Sequence, residues 1–214
     1  MSENNTNMPN HSRTSNPVRK GERTRRRIME STKSILETTP YGQIRITAIA
    51  SASEITQPNF YTYFSSVNDV IFAIAESTNV DRLKPHFEAD WNGQDGFERV
   101  RQFLQAFLNL WESEKAVFTV TNALADEGDE AFSRLRFRQM HALYVGIEKK
   151  VSESQSRGRI HETVNARLVA FECIALLTSV GQRLELFKQS GFSDDDVVDT
   201  TARILQQLCC GSEN

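Results

Sequence analysis

ITAIASASEITQPNFYTYF, residues 46–64, reads as two short helices joined by a tight turn. The second helix opens on Thr56-Gln57-Pro58-Asn59. Thr56 suits the N-cap, and Pro58 falls in the first helical turn, where its missing N–H costs little. Ile49, Ile55, Phe60 and Phe64 form a small core that holds the two helices at a fixed angle. The remaining side chains are those of a helix that enters the DNA major groove. Gln57 and Asn59 are amides suited to an adenine edge. The hydroxyls of Thr56, Thr62, Tyr61 and Tyr63 suit phosphates.

A basic segment lies just upstream. Residues 13–27 hold Arg13, Arg19, Lys20, Arg23, Arg25, Arg26 and Arg27 against Glu22 alone, a local charge of +6. The whole chain carries −3, which leaves −9 for the rest. Such asymmetry suits contact with a polyanion at one end and repulsion at the other. Arg25 and Arg26 of this arm, with Arg45 and Thr47, are the candidate phosphate contacts.

The 214 residues are 39% hydrophobic and 25% charged, so most of the chain can bury a core. Long stretches with helical apolar spacing replace the alternation of sheet proteins, which predicts a nearly all-α protein. Cys173, Cys209 and Cys210 make no disulfide framework, and the polar N-terminus lacks the apolar core of a secretory signal. No apolar run reaches the ~18 residues of a membrane span. A cytoplasmic protein without membrane contact is expected.

The organisation expected is a disordered tail over 1–17, a three-helix unit over 18–65 and a larger helical unit over 66–214. In the first unit, Ile28, Thr32, Ile35 and Leu36 share one helix face, and Pro40, Tyr41 and Gly42 stop that helix. Ser65 or Ser66 caps the next helix, with Asp69 in the capping-box position. That helix is expected to run toward Arg82, with Pro85 bending or restarting it. Further helices are expected at 97–112, 115–126, 129–156, 162–189 and 194–209. The 162–189 helix carries two apolar stripes, one through Val164, Leu168, Phe171 and Ala175, the other through Ala170, Ile174, Leu177 and Leu184. The last helix has Val197, Thr201, Ile204, Leu205 and Leu208 on one side. Apolar surface on more than one face suits a four-helix interface between two copies, and packing within one domain is the alternative. Leu168, Phe171, Ala175, Leu184, Ile204, Leu205 and Leu208 are the candidate interface residues.

Residues 23–75 resemble the DNA-binding domain of TetR-family transcription regulators. The resemblance rests on Ile49-Ala50, the turn Ser53-Glu54-Ile55-Thr56, and the ending Phe60-Tyr61-Thr62-Tyr63-Phe64. That ending, with Lys115-Ala116-Val117 downstream, is similar to the mycobacterial EthR-like branch. Two positions depart from the family. Glu54 stands where the family usually has Gly, and a left-handed backbone there costs a non-glycine residue about 1 kcal/mol. Val67 stands where a Lys usually holds a phosphate.

The resemblance implies a homodimer whose C-terminal unit binds a small effector and releases a palindromic operator. Phe103, Phe107, Trp111, Phe118, Phe137, Met140, Tyr144 and Phe171 are compatible with the walls of a pocket for a mainly apolar ligand. No metal or cofactor is expected: His11, His86, His141 and His161 lack ligand spacing, and no phosphate loop or nucleophile elbow occurs. No enzyme is expected. A rival reading, an architectural or division-linked DNA binder of the same fold, predicts a packed C-terminal core without a cavity.

Overall fold

The computed structural model describes residues 17–211. The tail expected over 1–17 lies outside the described residues except for its last position. Every regular element described is helical. Two compact units, Met1–Val70 and Ile71–Asn214, divide the chain.

In the first unit α1 (Pro17–Thr38) is followed by a 3₁₀ turn at Tyr41–Gln43, then α2 (Ile46–Ala52) and α3 (Gln57–Phe60). Ile28, Leu36, Ile44, Ile49, Ala50, Phe60 and Phe64 are buried together with Thr32. The Thr32 hydroxyl is satisfied by donating to the Ile28 carbonyl at 2.8 Å. The turn between α2 and α3 requires a left-handed residue. Glu54 supplies it with φ 51°, the one non-glycine residue at positive φ among those described.

α4 (Val67–Ser77) starts on the Ser66 cap, whose Oγ accepts the Asp69 N–H at 3.1 Å. The reciprocal bond is displaced by one residue, because the Asp69 carboxylate accepts the Ser65 N–H at 3.1 Å. α4 does not run on to Arg82. It ends at Ser77, and a 3₁₀ turn at Val80–Leu83 leads into α5 (Lys84–Glu88) with Pro85 in its first turn.

The second unit is dominated by α6 (Gly96–Asp126), α7 (Glu130–Ser156), α8 (Ala166–Gln189) and α9 (Asp194–Cys210), which pack on one another. The two helices expected at 97–112 and 115–126 are one, α6. Glu112, Glu114, Lys115 and Ala116 between them are good helix formers, and no Gly or Pro interrupts. α8 begins at Ala166 rather than 162, because Asn165 caps it by accepting the Leu168 N–H at 3.0 Å. Asp129 caps α7, and Ser193 with Asp196 forms a complete capping box on α9. The core is rich in aromatic rings: Trp91 packs on Phe103, and Trp111 packs between Phe107 and Phe118.

Candidate DNA interface and effector cleft

The residues of α2 and α3 divide into those that hold the motif and those that face outward. Ile49, Phe60 and Phe64 are buried, and Ile55 is half-buried. Thr47, Thr56, Gln57, Pro58, Asn59 and Thr62 are exposed, as is Tyr61 at 52%. Tyr63 is half-buried. Burial at 49, 60 and 64 fixes the rotation of α3, so the two amides and the Tyr61 phenol point to solvent. The Tyr61 ring meets the Phe60 ring edge-on at 5.7 Å, which restrains the phenol. Thr56 Oγ1 accepts the Asn59 N–H at 3.3 Å, leaving its O–H to donate to a phosphate oxygen.

The arm residues are exposed or half-buried and lightly tethered. Arg25 lies over the Phe64 ring at 4.8 Å, Arg26 pairs with Glu30 at 3.5 Å, and Arg27 pairs with Glu54 at 3.4 Å. Exposed pairs of this kind are worth under about 1 kcal/mol, so a phosphate can displace them. Arg45 is exposed and donates to the carbonyls of Gly42 and Ile44 at 3.0 and 3.3 Å. Val67 is half-buried and carries no charge for a phosphate. Arg13 lies outside the described residues.

A cleft of about 610 Å³ opens within the second unit between α6, α7 and α8. Trp111, Phe118, Phe137, Met140, Tyr144 and Phe171, all singled out from the sequence, line it. Phe103 and Phe107 do not. Both are in the core with Trp91 and Trp111: they share the α6 face that carries Trp111 but lie about two turns and one turn nearer the helix N-terminus. Tyr144 stacks between Phe137 at 5.6 Å and Phe171 at 4.4 Å, making an aromatic wall. Burial pushes the Tyr144 phenol above its ordinary value, so it stays protonated. Trp111 reaches the cleft because Gly181 on α8 gives its ring room.

Polar groups complete the lining and were not anticipated. They include Thr121, Asn122, Asp126, Arg136, Gln139 and Glu172. Thr121 and Asn122 lie three and four residues beyond Phe118 and interrupt an apolar helix stripe, the signal that marks them in the sequence. Arg136 pairs with Asp126 at 2.7 Å. Trp111 Nε1 and Thr121 Oγ1 have no hydrogen-bond partner.

The two stripes of α8 go to different places. Ala170, Ile174, Leu177 and Leu184 are buried, whereas Leu168, Phe171 and Ala175 are exposed, as is Val164, which precedes α8. Ile204 and Leu208 of α9 are exposed too. Leu184, at 9%, and Leu205, at 0%, belong to the protomer's own core and not to a surface. Their helical offsets from Leu177 and Thr201, both buried, turn them inward. Phe171 lies both on the exposed face and in the cleft wall.

The three cysteines are free, buried thiols. Cys173 and Cys209 Sγ atoms lie 3.7 Å apart, and Cys210 faces the Trp91 carbonyl at 3.7 Å. The hydrogen bond to Cys173, with burial, pushes Cys209 well up, and burial pushes Cys210 up to about 11. No described helix is long and apolar enough to cross a membrane.

Residues 86–211 match the family model described as "Tetracyclin repressor-like, C-terminal domain". No curated protein sequence matches the chain. Among solved structures, the fatty acid degradation regulator FadR of Bacillus halodurans superposes with a TM-score of 0.60 at 14% identity, over 93% of this chain and 97% of that one. Salmonella enterica GusR superposes with a TM-score of 0.64 at 16% identity, over 92% and 99%. FadR of Bacillus subtilis, in complex with stearoyl-CoA, gives a TM-score of 0.63 at 14% identity, over 88% and 99%. At these identities the likeness carries the fold and no more. With the family match covering more than half of its length, the chain belongs to the TetR family of DNA-binding transcriptional regulators.

Proposed function

We propose that this regulator is a cytoplasmic homodimeric repressor, released from a palindromic operator by a small molecule with a large apolar face. The observation that carries the reading is the display of Gln57, Asn59, Tyr61 and Thr62 on a helix held by buried Phe60 and Phe64. Gln57 and Asn59 read base edges. Thr56, Pro58, Tyr61, Thr62 and Tyr63 pack along the backbone with Thr47, while Arg25, Arg26 and Arg45 offset phosphate charge. The exposed residues Leu168, Ala175, Ile204 and Leu208 meet their counterparts in a second copy, a reading supported by their exposure on α8 and α9. The 610 Å³ cleft supports an effector site and weighs against an architectural protein with a filled core. The Phe60–Phe64 ending and Lys115–Val117 favour the EthR-like branch.

Two recognition helices must enter the groove about one turn apart, roughly 34–36 Å. An effector that binds better to a conformer with another spacing shifts the population away from DNA. A differential affinity of 2–3 kcal/mol weakens operator binding ~30–150-fold. Selection of duplexes from random DNA at two salt concentrations tests the reading. It predicts a two-fold symmetric motif with salt-sensitive affinity. Absence of an enriched motif sinks it. Leu168→Glu should shift the protein toward monomer in sedimentation, and an unchanged dimer would remove α8 from the interface.

A further inference from the structure

We propose that the second unit holds a separate site for a phosphate monoester, where the C-terminus of α9 meets the turns at Trp91 and Arg159. It shares no lining residue with the cleft between α6, α7 and α8.

Close backbone approach builds the site. A Cβ at Gly96 would stand 2.2 Å from the Trp91 carbonyl oxygen, and one at Gly211 would stand 2.3 Å from the Arg159 carbonyl oxygen. Glycine at both positions lets the two turns press against the end of α9. The Trp91 carbonyl also accepts from Gln206 Nε2 at 3.4 Å and from Cys210 Sγ at 3.7 Å. Three stretches far apart in the chain are thereby held around a cavity of about 490 Å³. That volume is typical of small-molecule sites and exceeds what one phosphate ion fills.

Charge identifies the ligand. Arg159 and Arg203 line the cavity and no carboxylate does. Both are held by neutral groups. Arg159 Nη1 donates to Asn92 Oδ1 at 2.9 Å, and Arg203 Cζ lies 3.5 Å from the centre of the Phe97 ring. Each guanidinium keeps its charge and most of its N–H donors for a ligand. The charges that touch the lining from behind are one of each sign. Asp90 accepts from the Asn92 N–H at 3.0 Å, and Lys150 lies over the Trp91 ring at 4.6 Å. Asp95 and Glu98 are exposed and line no part of the cavity. The start of α6 and the end of α9 both border it, so their dipoles oppose and the arginines set the sign. Two guanidinium charges match the roughly −1.5 to −2 of a phosphate monoester better than the single charge of a carboxylate. Their planar forks also fit its three terminal oxygens.

Titration calorimetry on the full-length protein in phosphate-free buffer tests the site, with phenyl phosphate, benzoate and inorganic phosphate as probes. Phenyl phosphate should bind saturably, and the other two more weakly. Arg159→Gln and Arg203→Gln, both at exposed positions, should each weaken phenyl phosphate roughly 10–150-fold, the worth of a hydrogen bond to a charged group. Arg134→Gln, an exposed cation of α7 outside the cavity, should leave the affinity unchanged. Thermal melts confirm that the three variants fold. No saturable binding, or equal losses in all three variants, overturns the site. Benzoate binding as tightly as phenyl phosphate overturns the charge matching. Inorganic phosphate binding as tightly overturns the monoester and leaves a site for the free ion.

Discussion

Gly181→Ala tests how the cleft wall is held. A Cβ at this position would sit 2.5, 2.7 and 2.9 Å from Cδ2, Cγ and Cε2 of Trp111. Carbon atoms pack at about 3.5–4.0 Å, so the ring or α8 has to move. The ring has little room, because Phe107 and Phe118 flank it at 6.2 and 5.2 Å and only 2% of Trp111 is exposed. Overpacking of this kind costs about 1–3 kcal/mol, and three contacts under 3 Å argue for the upper end. Replacing a mid-helix glycine by alanine returns about 1 kcal/mol. The net loss is about 2 kcal/mol, which for a protein of this size lowers Tm by roughly 4–8 °C. Far-ultraviolet circular dichroism melts measure it. In a Trp111→Ala background the obstructing ring is gone, and the same substitution should stabilise by up to about 1 kcal/mol. A Tm loss of equal size in both backgrounds, or none in the wild type, would refute the packing argument.

Three further outcomes are expected. Glu54→Gly should be about 0.5–1 kcal/mol more stable than Glu54→Ala in urea titrations, since left-handed strain of ~1–2 kcal/mol is relieved and ~0.4–1 kcal/mol of chain entropy is lost; a Gly variant less stable than the Ala variant by ~0.4–1 kcal/mol would show that the turn carries no strain. Both variants lose the Arg27 pair, so that contribution cancels. Tyr61→Phe should weaken operator binding roughly tenfold, one hydrogen bond to a charged phosphate at about 1.5 kcal/mol, with Tm unchanged; full affinity would remove the phenol from the contacts. The Ser193 hydroxyl and N–H hold the Asp196 carboxyl below its ordinary value of 3.8. Its stabilising contribution is therefore present above that value and is lost as pH falls through the lowered folded pKa. Asp196→Asn should flatten the acid side of the stability profile, and a profile that overlays the wild type would contradict the capping box.

Much of this protein was legible in the chain because the signals are local. Helix spacing, the Thr56 and Ser193 caps, the Pro40 stop and the aromatic ending at Phe60–Phe64 each depend on residues a few positions apart. The helix-turn-helix is contained in nineteen consecutive residues, so the burial of Ile49, Phe60 and Phe64 that holds it could be read directly. Errors fell where local signals are weak or absent. The charged run at 112–115 looks like a break but carries no residue that breaks a helix. Conversely, α4 had an apolar pattern up to its end and stopped at Ser77, short of the proline that was expected to bend it.

By itself the sequence determined the all-helical class, the helix-turn-helix and the separation of apolar stripes on α8, because periodicity and capping act within one helix. Only the tertiary structure decided which stripe faces inward. It buried Leu184 and Leu205 and left Leu168 and Ile204 outside. It also decided that Phe103 and Phe107 fill the core while Trp111, Phe118 and Tyr144 frame a cleft with Arg136 and Glu172. An aromatic residue at helical spacing satisfies core and cavity alike. The difference lies in what the neighbouring helix brings opposite, and that neighbour is tens of residues away in the chain.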